Sequence, residues 1–254
     1  MKKLAFLSAI FLFSAVTAIQ AAPAADDASN YASPTWPDGS NQGSGFGNWD
    51  LSDNNNDGST NFAGYFIGDS TSGTGDINTS GQSFGMYANP GAAFATAVRG
   101  FSSPLNVGEV FSIQLGVNFR NGNKGIDIND SGLTGLFNFN VGSDDYQVNA
   151  TTLGLAYQAD SIFTLNFEQK AGTTVGVQVQ RTSAASGTET AFSSDIDFGA
   201  AMDNFKLYVS GTGGGDSENN LYANNMSIIP EPDIAMLFLG GLGIIYMIRR
   251  RKGC

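Results

Sequence analysis

The chain has 254 residues, with 12 Lys and Arg against 23 Asp and Glu, one cysteine and no histidine. The missing histidine removes Ser-His-Asp and Cys-His nucleophile arrangements and the usual His-bearing zinc sites, and a single cysteine cannot close an intrachain disulfide. The negative charge concentrates in the middle, where residues 26–227 carry 21 acidic and 6 basic side chains, so nucleic acid and anionic lipid headgroups are excluded as partners.

Lys2 and Lys3 precede an apolar run, Leu4 to Ile19, interrupted only by Ser8, Ser14 and Thr17, and an Ala-rich stretch from Ala21 to Ala25 follows. This is the layout of a cleaved secretory signal over residues 1–24, forming a helix while it lasts, with the cut after Ala21 or Ala24. An uncleaved membrane anchor is the alternative. Residues 25–45 read as a flexible lead-in containing Trp36 in the segment "SPTWPDG".

From residue 46 to 228 the signals are those of strands. The first local motif there is "DNNNDG", in which Asp53, Asn55 and Asp57 hold positions 1, 3 and 5 of a calcium-loop start and Gly58 the turn. Alternate oxygen side chains in a tight loop can converge on one Ca²⁺. Position 12, however, is Gly64 where a bidentate Glu belongs, so the loop is not an EF-hand, and an Asx-turn is the competing reading.

Five runs then alternate apolar and polar residues with period 2, the pattern of a strand with one buried face. They are Phe111 to Phe119, Phe137 to Val141, Phe163 to Phe167, Val175 to Val179, and Phe205 to Val209. Asn121-Gly122, Ala171-Gly172, Ser186-Gly187 and Gly211 to Gly215 supply turns between them. "MYAN" at 86–89 is echoed by "LYAN" at 221–224. Together these predict an all-β domain over 46–228, an antiparallel two-sheet sandwich of jelly-roll type.

Trp36, Trp49 and Tyr208 are the candidates for stacking on a sugar ring, with Tyr65 close to the same polar stretches. The alternatives are core filling for Trp49 and Tyr65 and cross-strand pairing for Tyr208. A glycoside-cleaving enzyme would need two carboxylates about 5 to 9.5 Å apart. Glu109, Glu168, Glu189 and Glu218 lack acidic neighbours at strand spacing, and Asp195 and Asp197 read as solvated charge at a turn. The sequence thus predicts no catalytic residues and no cofactor beyond Ca²⁺.

The chain closes on "IIPEPDIAMLFLGGLGIIYMIRRRKGC". Residues 234–248 carry no charge, yet a helix of that length covers only ~22 Å of a ~30 Å hydrocarbon core. Arg249, Arg250, Arg251 and Lys252 would hold the tail on the cytoplasmic side and leave the domain outside.

Pro230-Glu231-Pro232, the Gly-bearing apolar span and the Arg cluster together resemble the PEP-CTERM sorting signal of Gram-negative bacteria, here residues 229–254. That resemblance implies a membrane transpeptidase, exosortase, as partner after the signal peptidase and secretion machinery. It also implies delivery to the cell surface, outer envelope or extracellular matrix, in association with exopolysaccharide. Processing of the tail would end its stay in the membrane; an ordinary C-terminal anchor is the alternative. The run from Ser83 to Phe119 is similar, more loosely, to Gly/Asn-rich secreted sandwiches of the lectin and glucanase type. The function expected is a structural or interaction module of the matrix, with a glycan-binding module as the alternative and a glycoside-active enzyme as the remoter one.

Overall fold

The computed structural model describes residues 24–55, 62–89, 91–142 and 145–230. The expected signal segment and the apolar span with its basic cluster lie outside them. Among the described residues no helix is long and apolar enough to cross a membrane.

Two antiparallel sheets face each other. The eight-stranded sheet runs in the order β13 (Gly187–Asp197), β12 (Thr174–Ser183), β11 (Ser161–Gln169), β6 (Val110–Val117), β15 (Leu221–Ile229), β4 (Ser83–Asn89) and β3 (Phe62–Gly68). Its eighth strand, β1 (Ala24–Asp26), pairs with the second half of β15. The seven-stranded sheet runs β10 (Thr151–Thr152), β9 (Gln147–Val148), β8 (Gly135–Asn140), β7 (Asn123–Asn129), β14 (Asn204–Ser210), β5 (Phe94–Phe101) and β2 (Phe46–Asp53).

All five alternating runs are strands, and their apolar halves meet between the sheets. Phe111, Ile113 and Leu115 of β6, Phe163, Leu165 and Phe167 of β11 and Val175, Val177 and Val179 of β12 are buried from one side. Phe205, Leu207 and Val209 of β14 and Phe137 and Phe139 of β8 are buried from the other. Rings join the layers: Phe111 stacks on Phe205 at 5.1 Å, Phe137 meets Phe167 at 5.3 Å and Phe139 meets Phe163 at 5.2 Å. Each such side chain stabilises the fold by ~1.5–3 kcal/mol before conformational entropy is subtracted, so this layer stands in for disulfides. Phe119 departs from the pattern: β6 stops at Val117, and the ring beyond it is exposed. The predicted turns hold, with Gly172 and Gly187 both at φ +66°, where a Cβ would be strained.

The stretch from 25 to 45 is part of the sandwich, not a flexible lead-in. Ala24 opposes Ile228 and Asp26 opposes Met226. Ala28 donates its N–H to the buried Asn224 Oδ1 at 2.9 Å. The decisive contact is an ion pair with no exposure on either side chain, Arg99 Nη1 to Asp26 Oδ2 at 2.5 Å. Arg99 also donates to Gly47 O and Asn41 Oδ1, at 2.9 and 2.6 Å, and its guanidinium lies 4.9 Å from the Phe46 ring and 4.7 Å from that of Trp49. Asp26 in turn accepts from Tyr31 Oη at 2.7 Å and Asn30 Nδ2 at 2.8 Å. A buried charge is tolerable when its polar atoms are satisfied in this way. Burial and the Asp26 contact push the Tyr31 phenol up to about 12.

Candidate functional site

The three aromatic candidates fall into two environments. Trp36 and Trp49 are 4% and 1% exposed, edge to face at 4.9 Å, and Trp36 also meets Tyr65 and Phe84 at 5.8 and 4.6 Å. Neither indole presents a face to solvent. Docking of residues 24–45 buries Trp36, which the linear sequence had left without a partner. Tyr65 is half-buried, its hydroxyl donating to Thr96 O at 2.9 Å.

Tyr208 is different, because β14 turns it to the outer face of the seven-stranded sheet. There it opposes Thr96 on β5 and Gly125 on β7. A Cβ at Gly125 would fall 2.0 Å from Phe139 O and 2.9 Å from the Tyr208 hydroxyl, so the glycine makes the hollow into which the phenol leans. Asn138 Nδ2 donates to Tyr208 Oη at 2.8 Å and to Asp127 Oδ1 at 2.6 Å. Asp127 Oδ2 is paired with Lys206 Nζ at 2.6 Å. Strand register explains the ladder: Lys206 opposes Asp127, and Asp127 opposes Asn138. Burial raises the Tyr208 pKa far above the ordinary phenol value, so its hydroxyl keeps its proton.

Around this ladder lies an open trough of about 300 Å³ whose lining includes Phe94, Thr96, Asp127, Asn138, Lys206 and Tyr208. A second hollow of about 370 Å³ shares Asp127, Asn138 and Lys206 and continues over Asn129, Leu133, Leu136 and Asn149. Phe94 and Leu133 are both exposed. The face thus combines half-covered rings and apolar side chains with a row of planar amides and hydroxyls.

The other sheet holds a pair of acids that strand-wise spacing concealed. Glu168 on β11 opposes Gly176 on β12, which opposes Asp195 on β13, so three strands bring both carboxylates to one outer row. Lys170 stands between them, with Nζ 2.8 Å from Asp195 Oδ1 and 3.9 Å from Glu168 Oε2. These residues line a groove of about 340 Å³ above Gly176. Asp197 instead accepts from Thr173 Oγ1 at 2.5 Å and Gly199 N at 3.0 Å, which lowers its pKa. Glu189 is held by Arg181, Glu109 accepts from Asn106 N at 2.8 Å, and Glu218 sits in a short 3-10 turn.

At the proposed calcium loop, Asp53 ends β2 and its Oδ1 accepts from Asn55 N at 2.9 Å, an Asx-turn. Asn55 Oδ1 faces Ala63 N at 3.4 Å. Asp57 lies outside the described residues. Among the described residues no three His, Cys, Asp or Glu side chains converge as a metal site. Of the tripeptide expected to serve in sorting, Pro230 follows β15 directly, while Glu231 and Pro232 lie outside the described residues.

No protein-family model and no curated protein matches this chain. Among solved structures it is similar to the cellulose-induced protein Cip1, at 10% identity and a TM-score of 0.42, over 71% of this chain and 90% of that one. It is similar also to lectin I-B4 from Griffonia simplicifolia in metal-free form, at 8% identity and a TM-score of 0.37, over 71% and 92% of the two chains. A third is the catalytic domain of beta-agarase D from Zobellia galactanivorans, at 8% identity and a TM-score of 0.35, over 74% and 76%.

Proposed function

We propose that this chain is an exported, surface-delivered β-sandwich that engages exopolysaccharide through the outer face of its seven-stranded sheet. The observation carrying the proposal is the trough around Tyr208, where an exposed Phe94 ring and a half-covered phenol flank the Asn138, Asp127 and Lys206 ladder. Sugars present hydroxyls and apolar ring faces together. Amides and carboxylates answer the hydroxyls, and aromatic faces answer the C–H surfaces. Export, tail processing by exosortase and residence in the surface or matrix rest on the two terminal segments and on the resemblance of residues 229–254 to a sorting signal.

A glycoside-active reading rests on the Glu168 and Asp195 row. Acid and base work at a glycosidic bond asks one carboxyl to hold a proton while the other stays ionised. Lys170 occupies the gap between the two, with Nζ 2.8 Å from Asp195 Oδ1 and 3.9 Å from Glu168 Oε2, where a scissile bond would have to sit, so we place the function on the other sheet.

A glycan array probed with the full-length protein in a non-glycosidic detergent tests the proposal. Binding is expected, weakened about tenfold or more by Tyr208→Ala or Asn138→Ala, the loss of one good contact in a polar network. Ser193→Ala, in the groove of the opposite sheet, is expected to leave it unchanged. Binding insensitive to the first two substitutions, or absent, would reject this face.

A further inference from the structure

We infer that the polysaccharide taken by this face is an uncharged one, recognised through hydroxyls and ring faces and not through carboxylates or sulfates. The inference rests on the reading of the face as glycan-binding and adds the class of ligand. It follows from where the sheet puts its charges. The strands of this sheet carry three cations, and two of them, Arg99 and Lys124, point inward with no exposure. Arg99 is consumed by Asp26. Lys124 donates from Nζ to Phe119 O, Asn219 O and Asn121 Oδ1, at 2.7, 2.8 and 3.2 Å.

Only Lys206 reaches the outer face, and Asp127 holds it at 2.6 Å. Asp50 of β2, opposite Val98, is exposed on that face with no compensating cation on its strand. The outward face is therefore net acidic, within a domain that is itself strongly acidic. A uronate or sulfate would approach repulsion, and among the described residues of this face it would find no free guanidinium or ammonium to pair with. An uncharged sugar meets acceptors suited to its hydroxyl donors, Asp127 and the Asn138 carbonyl, and the neutral Tyr208 phenol as a donor. Phe94 and Leu133 add apolar contact at the two hollows.

The test is affinity electrophoresis of the full-length protein in gels containing laminarin, agarose or alginate, at about 0.05 and 0.5 M NaCl, with and without millimolar Ca²⁺. Retardation is expected with an uncharged glucan or galactan, little changed by salt and reduced about tenfold in Tyr208→Ala. Tyr208→Phe keeps the ring and the packing over Gly125, and is expected to show a smaller loss, which guards against simple misfolding. Tighter retention by alginate, with or without Ca²⁺, that Tyr208→Phe or Tyr208→Ala weakens would overturn the inference and leave the face as a glycan site. Retention by none of the three would overturn both.

Discussion

Arg99 and Lys124 are the two cations that the seven-stranded sheet turns inward, and it treats them differently. Arg99 has a carboxylate, two oxygen acceptors and two aromatic faces, so its charge is matched on every side. Removing Asp26 would leave that guanidinium unpaired in the core. Asp26→Ala is expected to cost about 3–5 kcal/mol in urea denaturation. A cost below ~1 kcal/mol would mean that water replaces the carboxylate. Lys124 has three oxygens and no carboxylate, and burial pushes its pKa down to about 7, against 10.5 when free. Between those values the unfolded chain binds a proton that the folded chain has released, so stability rises with pH. Urea midpoints are expected to climb from pH 7 towards 10 and to stay flatter over that window in Lys124→Met. Above pH 10 the sign reverses for Tyr31, whose folded pKa is about 12: the unfolded phenol ionises first and stability falls.

At the scale of elements, the strands invisible in the sequence are those with an unusual inward face. β5 turns Ala95, Ala97 and Arg99 to the core and β7 turns Lys124, Ile126 and Ile128, so neither reads as an apolar alternation. β13 is an edge, mostly wet along its 11 residues, and its Glu189, Asp195 and Asp197 deter pairing with another chain. The "MYAN" and "LYAN" echo belongs to neighbours: Leu221 opposes Met86 across β15 and β4. Gly125 is the element-level counterpart of Tyr208. Because the missing Cβ would meet a backbone carbonyl, Gly125→Ala is expected to destabilise the fold by about 1–3 kcal/mol in thermal melts and to displace the phenol. A melting temperature unchanged from the parent would show that β7 and β8 yield without cost.

Across the whole molecule, the first and last strands close on each other. Ala24 and Ile228 are direct partners, so the chain enters and leaves the sandwich at one end, and β1 is secured by Asp26 deep in the core. On the proposed export route, this arrangement lets the body complete itself while either apolar terminal segment is still attached. A chain with cleavage blocked by Ala21→Leu and Ala22→Leu is expected to yield the same protease-resistant body as the cleaved chain. Rapid degradation of the uncleaved form would show that β1 docks only from a free N-terminus.

The sequence by itself determined the all-β class, the five core strands and their turns. Period-2 alternation, positive-φ glycines and uninterrupted apolar runs are local signals, carried by residues a few positions apart. Only the tertiary structure decided which aromatics are available. It buried Trp36 by docking residues 24–45, left Tyr208 over a glycine on the neighbouring strand, and set Glu168 beside Asp195 across a third. Strand register fixes these pairings. Register depends on how two sheets share one core, a property that no window of the chain contains.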